Sequence, residues 1–461
     1  MQIEALSQLS ETMTASLVGS VVDTVGMTVA VADFPAPVGA LVRIERDASS
    51  GFEGEVVGFR DGRTLVYLLT AAAGVRRGNR VRLMKTSSSL RVGSALLGRV
   101  IDSRGRCIDG RPQPVLSDRA LRDRLPPPPI ERPRIRVPLA TGVHAIDGLL
   151  TCGRGQRLGI FSGSGVGKSV LLGMMSRYTE ADVIVTGLIG ERGREVNDFI
   201  ERDLGSEGLA RSVVVVATSN EPALARVHAA STATAVAEYF RDQGKHVLLL
   251  MDSVTRFAMA QREIGLAAGE PPTTRGYPPS TFALLPRLVE RAGQSARGSI
   301  TAFYTVLVEG DDENEPIADA VRGLLDGHVW LSRKLAGRGH FPAIDLLSSI
   351  SRLMTDITTS QHQAAAQVLR QLLATHSEHE DLLSIGAYRR GSNRTLDAAV
   401  DMREAIETLL RQQVETTTPF DRLVEELISL ASQCRAKMNV ATPTATTPAI
   451  IGSGAPALKA G

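Results

Sequence analysis

Several regimes of hydrophobic patterning follow one another along the chain. Ile3, Leu6, Leu9, Met13 and Leu17 recur at intervals of three and four, which is the spacing of an apolar stripe on a short amphipathic helix over residues 1–18. Such a stripe can pack on its own domain or dock a partner helix. From residue 19 to 92 short β-rich runs (28–32, 40–45, 55–59, 64–69 and 80–84) are separated by Gly, Asp and Pro. That regular spacing predicts a small antiparallel β-barrel. Residues 93–138 read as a connector, stiff from residue 110 onward because Pro and Arg dominate and the proline run 126–129 can continue neither helix nor central strand.

From 139 to 355 strand-like runs (157–161, 182–189, 212–217, 246–251, 300–308) alternate with helix-like ones such as 194–203 and 223–243. Alternation of this kind predicts an α/β domain with a mostly parallel sheet and helices on both faces. Ligands on such sheets bind at the carboxyl ends of the strands. Residues 356–439 are helical by pattern, most clearly at 363–375 and 401–412, and 440–461 is a low-complexity stretch predicted to be a disordered tail.

Composition narrows this picture only a little. The 461 residues are 43% hydrophobic, enough for two or three cored domains. The 52 basic and 50 acidic residues give a net charge of +2, so no global field argues for nucleic acid or membrane. Cys107, Cys152 and Cys434 are far apart, suggesting neither disulfides nor a zinc site and fitting a reducing cytosol. The sequence predicts neither a Sec-type leader nor a membrane span. In the barrel region Phe34, Phe52, Phe59 and Tyr67 form no stacking cluster, which favours a structural or assembly barrel over an oligonucleotide-binding one.

The chemistry starts at residue 157. Arg-Leu-Gly-Ile-Phe runs into Ser162, Gly163, Ser164, Gly165, Val166, Gly167, Lys168 and Ser169, then into Val170 and an apolar helix. Strand, glycine-rich turn and helix are the layout of a phosphate-binding P-loop. The glycines let successive N–H groups converge on one anion, and the helix N-terminus adds positive potential. Lys168 can reach the β- and γ-phosphates of a nucleoside triphosphate, and the Ser169 hydroxyl can ligate Mg2+. The pattern's first Gly is Ser162 here, a tolerable departure because three glycines remain. Downstream, Val247-Leu-Leu-Leu-Met-Asp252 is a buried-strand pattern ending in an acid, a candidate for holding Mg2+ or its water shell. Glu191 follows the strand 182–189 and could orient and deprotonate water, or equally form a surface salt bridge. Arg192 and Arg256 are candidate phosphate clamps.

Several ordered blocks then carry a resemblance. They are the P-loop stretch 159–175, Gly190-Glu-Arg-Gly-Arg-Glu-Val196 and Leu307-Val-Glu-Gly-Asp-Asp-Glu-Asn-Glu-Pro316, followed by Ser332-Arg-Lys-Leu, Gly339-His-Phe-Pro-Ala-Ile-Asp345, Ser349-Ile-Ser-Arg352 and Ile385-Gly-Ala-Tyr-Arg-Arg-Gly391. The chain resembles the export ATPases of flagella and type III secretion, relatives of the catalytic subunit of rotary ATP synthases, over roughly residues 20–430. The resemblance implies a RecA-like core and hydrolysis of ATP with Mg2+. It makes Glu191 the general base, Arg192 and Arg256 γ-phosphate ligands, and Phe341 the aromatic that stacks on adenine. Arg352 becomes a finger reaching into a neighbouring subunit's site, with an intrachain salt bridge as the plainer alternative.

The same resemblance implies a cytoplasmic homo-hexamer, attached peripherally to the inner-membrane export apparatus. Its implied partners are a stator-type regulator at the N-terminus, a central stalk protein, an export gate, chaperones and unfolded export substrates. Nucleic acid is not among them. The acidic loop 309–312 could be a solvated turn, and in the resemblance it would lie near the ring's channel. Gly-Glu-Pro-Pro-Thr-Thr-Arg-Gly-Tyr-Pro-Pro (269–279) leans toward the flagellar branch. A rotary synthase subunit is the rival enzyme. A carboxylate at 191 argues against a non-catalytic one, and the basic 385–391 block argues against a catalytic one. An RNA-translocating hexameric helicase is a further alternative, disfavoured by the barrel's lack of a stacking platform. His376 and His379, at i and i+3 beside Glu378 and Glu380, read as a solvated helix face rather than a metal site.

Overall fold

A computed structural model describes residues 17–46, 51–69, 73–86, 88–308 and 315–439. The helix predicted for 1–18, all but its last two residues, the acidic loop 309–312 and the tail 440–461 lie outside them. The chain builds a β-barrel, a central parallel-sheet core and a set of C-terminal helices, as the patterning predicts.

The barrel consists of β1 (Val18–Val25), β2 (Thr28–Ala32), β3 (Leu41–Glu45), β4 (Gly51–Arg60), β5 (Arg63–Leu68) and β6 (Arg80–Lys85), closed in the order β1-β2-β5-β4-β3-β6. Val21, Val31, Val42, Ile44, Val56, Val66 and Val81 fill its interior. β1 is the strand the pattern missed. A bulge between Val21 and Asp23 breaks its alternation. Gly19 within it is there for room, because a Cβ would stand 2.7 Å from the Ala32 carbonyl oxygen and the Phe34 Cβ. Phe34 and Tyr67 are buried.

The core is a nine-stranded sheet. Its main strands are β7 (Arg99–Asp102), β8 (Arg157–Ser162), β9 (Val183–Glu191), β10 (Ser212–Thr218), β11 (His246–Asp252), β12 (Ser299–Leu307), β13 (Gly327–Leu331) and β14 (Ile344–Ser351). They lie in the order β14-β13-β8-β12-β11-β9-β10-β7, and only β14 among them runs antiparallel to its neighbour. Strands covered on both faces read as unbroken apolar runs, which is why β10 and β11 are plain in the sequence. β7 differs from expectation: it falls within the segment read as a connector yet pairs in parallel with β10 from Arg99↔Val213 to Asp102↔Val216. With only Val100 and Ile101 apolar, it is too short to announce itself.

Helices α1 (Lys168–Tyr178), α2 (Gly193–Asp198), α3 (Ala223–Asp242) and α4 (Val254–Ala267) follow β8, β9, β10 and β11. Helix α3 presents buried Ala229, Ala230, Ala233 and Ala237, and such small side chains let it lie close on the sheet. The expected helix 194–203 is interrupted: α2 gives way to a π-helical turn, Phe199–Leu204. Helices α5 (Ser360–Glu378), α6 (Arg394–Leu410) and α7 (Phe420–Asn439) form the C-terminal part. Leu369, Leu372, Ile406, Leu410 and Leu427 from these helices share one apolar cluster with Leu149, Leu172 and Met175, so helical part and core are packed as one body.

Candidate nucleotide site

Parallel register sets the site. Ser162 at the end of β8 pairs with Leu307 of β12 and Leu331 of β13, and Leu188 of β9 pairs with Asp252 of β11. The P-loop, Glu191, Asp252 and the residues after β12 and β13 therefore leave the sheet along one edge. The P-loop, Glu191, Arg256, Leu307, Val308 and Arg333 line a cleft of about 590 Å³ there, within the usual range for a small-molecule site.

The glycines of the turn serve separate needs. Gly165 and Gly167 have φ of 80° and 90°, the left-handed region where a side chain is strained, and Gly167 caps α1. The Arg333 guanidinium lies across Gly163: a Cβ there would stand 2.4 Å from Nη2, so a larger residue would push the guanidinium aside. Ser164 and Gly165 form the exposed rim, whereas Val166 turns inward and is buried, so only its backbone faces the loop's concavity. Ser162 Oγ is buried and accepts or donates no hydrogen bond among the described residues. A ring of available N–H groups and an orphaned hydroxyl fit a bound polyphosphate.

Lys168 is the first residue of α1, and its ammonium is held between two carboxylates. It bonds Asp252 Oδ1 and lies 3.6 Å from Glu191 Oε1. Thr305 Oγ1 donates to the same Asp252 oxygen at 2.6 Å. Burial acts against the Lys168 charge, but Asp252 and Glu191 outweigh it and raise its pKa. Burial, and then the Asp252 charge, push the Glu191 carboxyl up to about 7, with Lys168 opposing. Glu191 is aimed by a bulge between Ile189 and Glu191, centred on Gly190. Gly190 has φ of 73°, and a Cβ there would come within 3.1 Å of the Arg256 Cβ, so the glycine lets Arg256 lie alongside.

Arg256, on the first turn of α4, donates its backbone N–H to the capping Ser253 hydroxyl at 3.2 Å, while its Nε is buried without a partner among the described residues. Arg192 lines the cleft mouth and pairs with Glu195 at 3.4 Å, its side chain 81% exposed. Ser169 and Val170 line the cleft beside Lys168. Ser169 and Asp252 together offer one hydroxyl and one carboxylate, a donor set that suits Mg2+ held largely by phosphate and water. Among the described residues no group of three or more His, Cys, Asp or Glu could hold a metal ion by itself. His376 and His379 are half-buried rather than fully solvated: His376 contacts Arg403, at 2.6 Å, and His379 contacts the Thr375 carbonyl, at 2.8 Å.

Phe341 is 46% exposed, with its ring edge 3.5 Å from where a Gly167 Cβ would be, so its face is open beside the P-loop. Arg352 is not brought to this cleft. It follows β14, whose Ser351 pairs with Gly327 at the start of β13, and its N–H donates to the Asp326 carbonyl at 3.0 Å. That is the edge of the sheet opposite the P-loop, roughly 20 Å away along a six-residue strand. The Arg352 side chain is exposed and makes no ion pair among the described residues. Thr305 and Arg333 also belong to the site, and the sequence pattern does not single them out. Thr305 lies in an apolar strand with no motif around it, whereas Arg333 stood inside the Ser332-Arg-Lys-Leu block and just after a strand, where a site residue is expected.

Comparison with known proteins agrees with this geometry. Residues 142–351 match the model of the ATP synthase alpha/beta family, nucleotide-binding domain, and 358–429 match that of the T3SS EscN ATPase C-terminal domain. The chain is 51% identical over 414 residues to the flagellum-specific ATP synthase of Bacillus subtilis (strain 168), covering 89% of this chain and 94% of the relative. It is 49% identical over 413 residues to the type 3 secretion system ATPase of Xanthomonas euvesicatoria, covering 89% and 93%. The assembled ATPase EscN of the enteropathogenic E. coli type III secretion system superposes with a TM-score of 0.86 at 45% identity, covering 90% of this chain and all of that one. EscN in complex with its central stalk EscO gives a TM-score of 0.83 at 44% identity, with the same coverage.

Proposed function

The chain belongs to the flagellar and type III secretion ATPases of the ATP synthase alpha/beta family, and from that premise we propose that its cleft hydrolyses ATP with Glu191 as the base and Arg352 serving a neighbouring subunit's site. The chain is an ATPase of protein export. The P-loop N–H groups, Lys168 and Arg256 bind the triphosphate and stay in place as charge moves to the leaving oxygen. Glu191 accepts a proton from the attacking water as its oxygen bonds to the γ-phosphorus and the bridging β,γ bond breaks, leaving ADP and phosphate. Arg192, loosely paired at the mouth, swings onto the γ-phosphate. Ser169 and Asp252 would hold Mg2+, which neutralises phosphate charge when bound. Phe341 offers its ring face to adenine.

The observation that carries the reading is Glu191 in the cleft 3.6 Å from Lys168, with its carboxyl raised to about 7. The position of Arg352 on the far edge of the sheet supports a role in trans, and with it a ring. A hexamer turning about a central stalk protein fits the likeness to assembled EscN and to its complex with EscO. Residues 1–18 would bind a stator-type regulator, and the ring would pass unfolded substrates from chaperones to an export gate. No helix among the described residues is long and apolar enough to cross a membrane, which is compatible with peripheral attachment to the inner-membrane export apparatus from the cytoplasm. The flagellar branch is favoured by residues 269–279. Phosphate release by the purified chain, set against a Lys168→Ala variant that should no longer bind ATP, tests the assignment. Equal ATP binding by that variant would sink it.

A further inference from the structure

Between the nucleotide cleft and the C-terminal helices lies one five-residue helix, Arg333–Gly337. It starts directly after β13, is capped by the Ser332 hydroxyl accepting from the Leu335 N–H at 3.4 Å, and leads within four residues to Phe341. Its side chains point two ways. Arg333 reaches the cleft and lies over Gly163, where a Cβ would stand 2.4 Å from its Nη2. Lys334 and, one residue beyond the helix, Arg338 point to the other domain, where both grip Glu380 at 2.5 Å and 2.6 Å. These two bonds hold the Glu380 carboxyl down at about 2, so it is an anion at any working pH. Glu380 is the first residue of the short helix Glu380–Ser384 that follows α5. Behind the helix is a cavity of about 300 Å³, lined by Leu335, Arg338, His340, His376, Arg403 and Glu407 among others. Close-packed interiors resist small displacements, and this void gives the helix somewhere to move.

We infer that Arg333 is a positioning residue for the phosphate loop, and that the C-terminal helices set its position through Glu380. The inference rests on the cleft being the ATP site. The Arg333 guanidinium braces the first glycine of the loop and adds positive charge to the cleft wall. Shifting the helix moves that brace. Because coupling between two sites is reciprocal, releasing the Glu380 grip weakens ATP binding although Glu380 touches no part of the cleft. A load on the C-terminal helices is thereby felt at the phosphates.

The experiment is a double-mutant cycle on the full chain, read as the equilibrium affinity for a fluorescent ATP analogue with Mg2+. Glu380→Gln should weaken binding by about fivefold or more. Arg333→Ala should weaken it further, and adding Glu380→Gln to it should then change nothing, because the brace is already gone. If the two losses multiply, or if Glu380→Gln binds as tightly as the parent, the inference is overturned. Mere destabilisation would lower the melting temperature and give multiplying losses. Arg333→Lys, which keeps the charge but not the planar contact, replaces the alanine variant should that fail to fold, with the same non-multiplying result expected. Undiminished binding by Lys168→Ala would instead remove the site reading on which all this depends.

Discussion

Glu191 stands 3.6 Å from Lys168 across the phosphate cleft while Lys168 is bonded more tightly to Asp252. One cation thus serves two carboxylates unequally. Asp252 takes the closer contact, and Glu191 is left with a carboxyl raised to about 7 by burial and by the Asp252 charge. A carboxyl raised by burial and by a neighbouring acid is a pattern found at sites of proton transfer.

That division has a pH signature. A base must be deprotonated to work, so kcat/KM for ATP should rise with pH through about 7 and level off above it. The same shift bears on stability. A carboxyl whose folded pKa exceeds its unfolded value contributes stability below the unfolded value, and loses it as pH rises through the folded one. Glu191→Gln should therefore melt higher than the parent at pH 8 and alike near pH 4. A variant less stable at pH 8 would contradict the raised pKa.

Arg352 on the far edge of the sheet predicts complementation. Arg352→Ala should lower turnover by roughly 10³–10⁵ without weakening ATP binding to the single chain. Mixing it with Glu191→Gln should restore activity, because at some interfaces an intact Glu191 meets an intact Arg352. Mixed samples no more active than the two alone would return Arg352 to an intrachain role.

Thr305 donates to Asp252 at 2.6 Å from within a buried strand. Thr305→Val keeps the shape and removes a hydrogen bond to a charged group, about 1.5–3 kcal/mol. The expected outcome is roughly a tenfold to hundredfold fall in kcat, accompanied by a raised Mg2+ requirement. An unchanged Mg2+ dependence would mean that Thr305 only fills the core.

Phe341 offers a ring face, and a ring face is all that stacking needs. Phe341→Tyr should be neutral, and Phe341→Ala should raise KM for ATP about two- to tenfold, the worth of roughly 0.5–1.5 kcal/mol of aromatic contact. KM left unchanged by the alanine variant would place adenine elsewhere.

The parts legible in the sequence are those where one physical rule acts alone. Buried parallel strands such as β11 show as apolar runs, and the P-loop shows because its backbone geometry demands glycine at Gly165 and Gly167. Glu191 was open between base and salt bridge on pattern alone, since its role depends on a bulge at Gly190 and on charges brought from β11 and α1. β1 and β7 were hidden by a bulge and by shortness. Thr305 could not be singled out, because a threonine in a strand is ordinarily a β-former. Arg333 could have been, as an arginine directly after a strand on the site edge, but nothing local says that it lies over Gly163.

The assignment of Glu191 is to proton transfer, not to holding the nucleotide. Its most direct test is to measure ATP affinity and single-turnover hydrolysis on the same preparation of Glu191→Gln. The expected result is ATP binding within a few fold of the parent and a hydrolysis rate lower by roughly 10²–10⁴. Hydrolysis at the parental rate, with ATP bound normally, would contradict it.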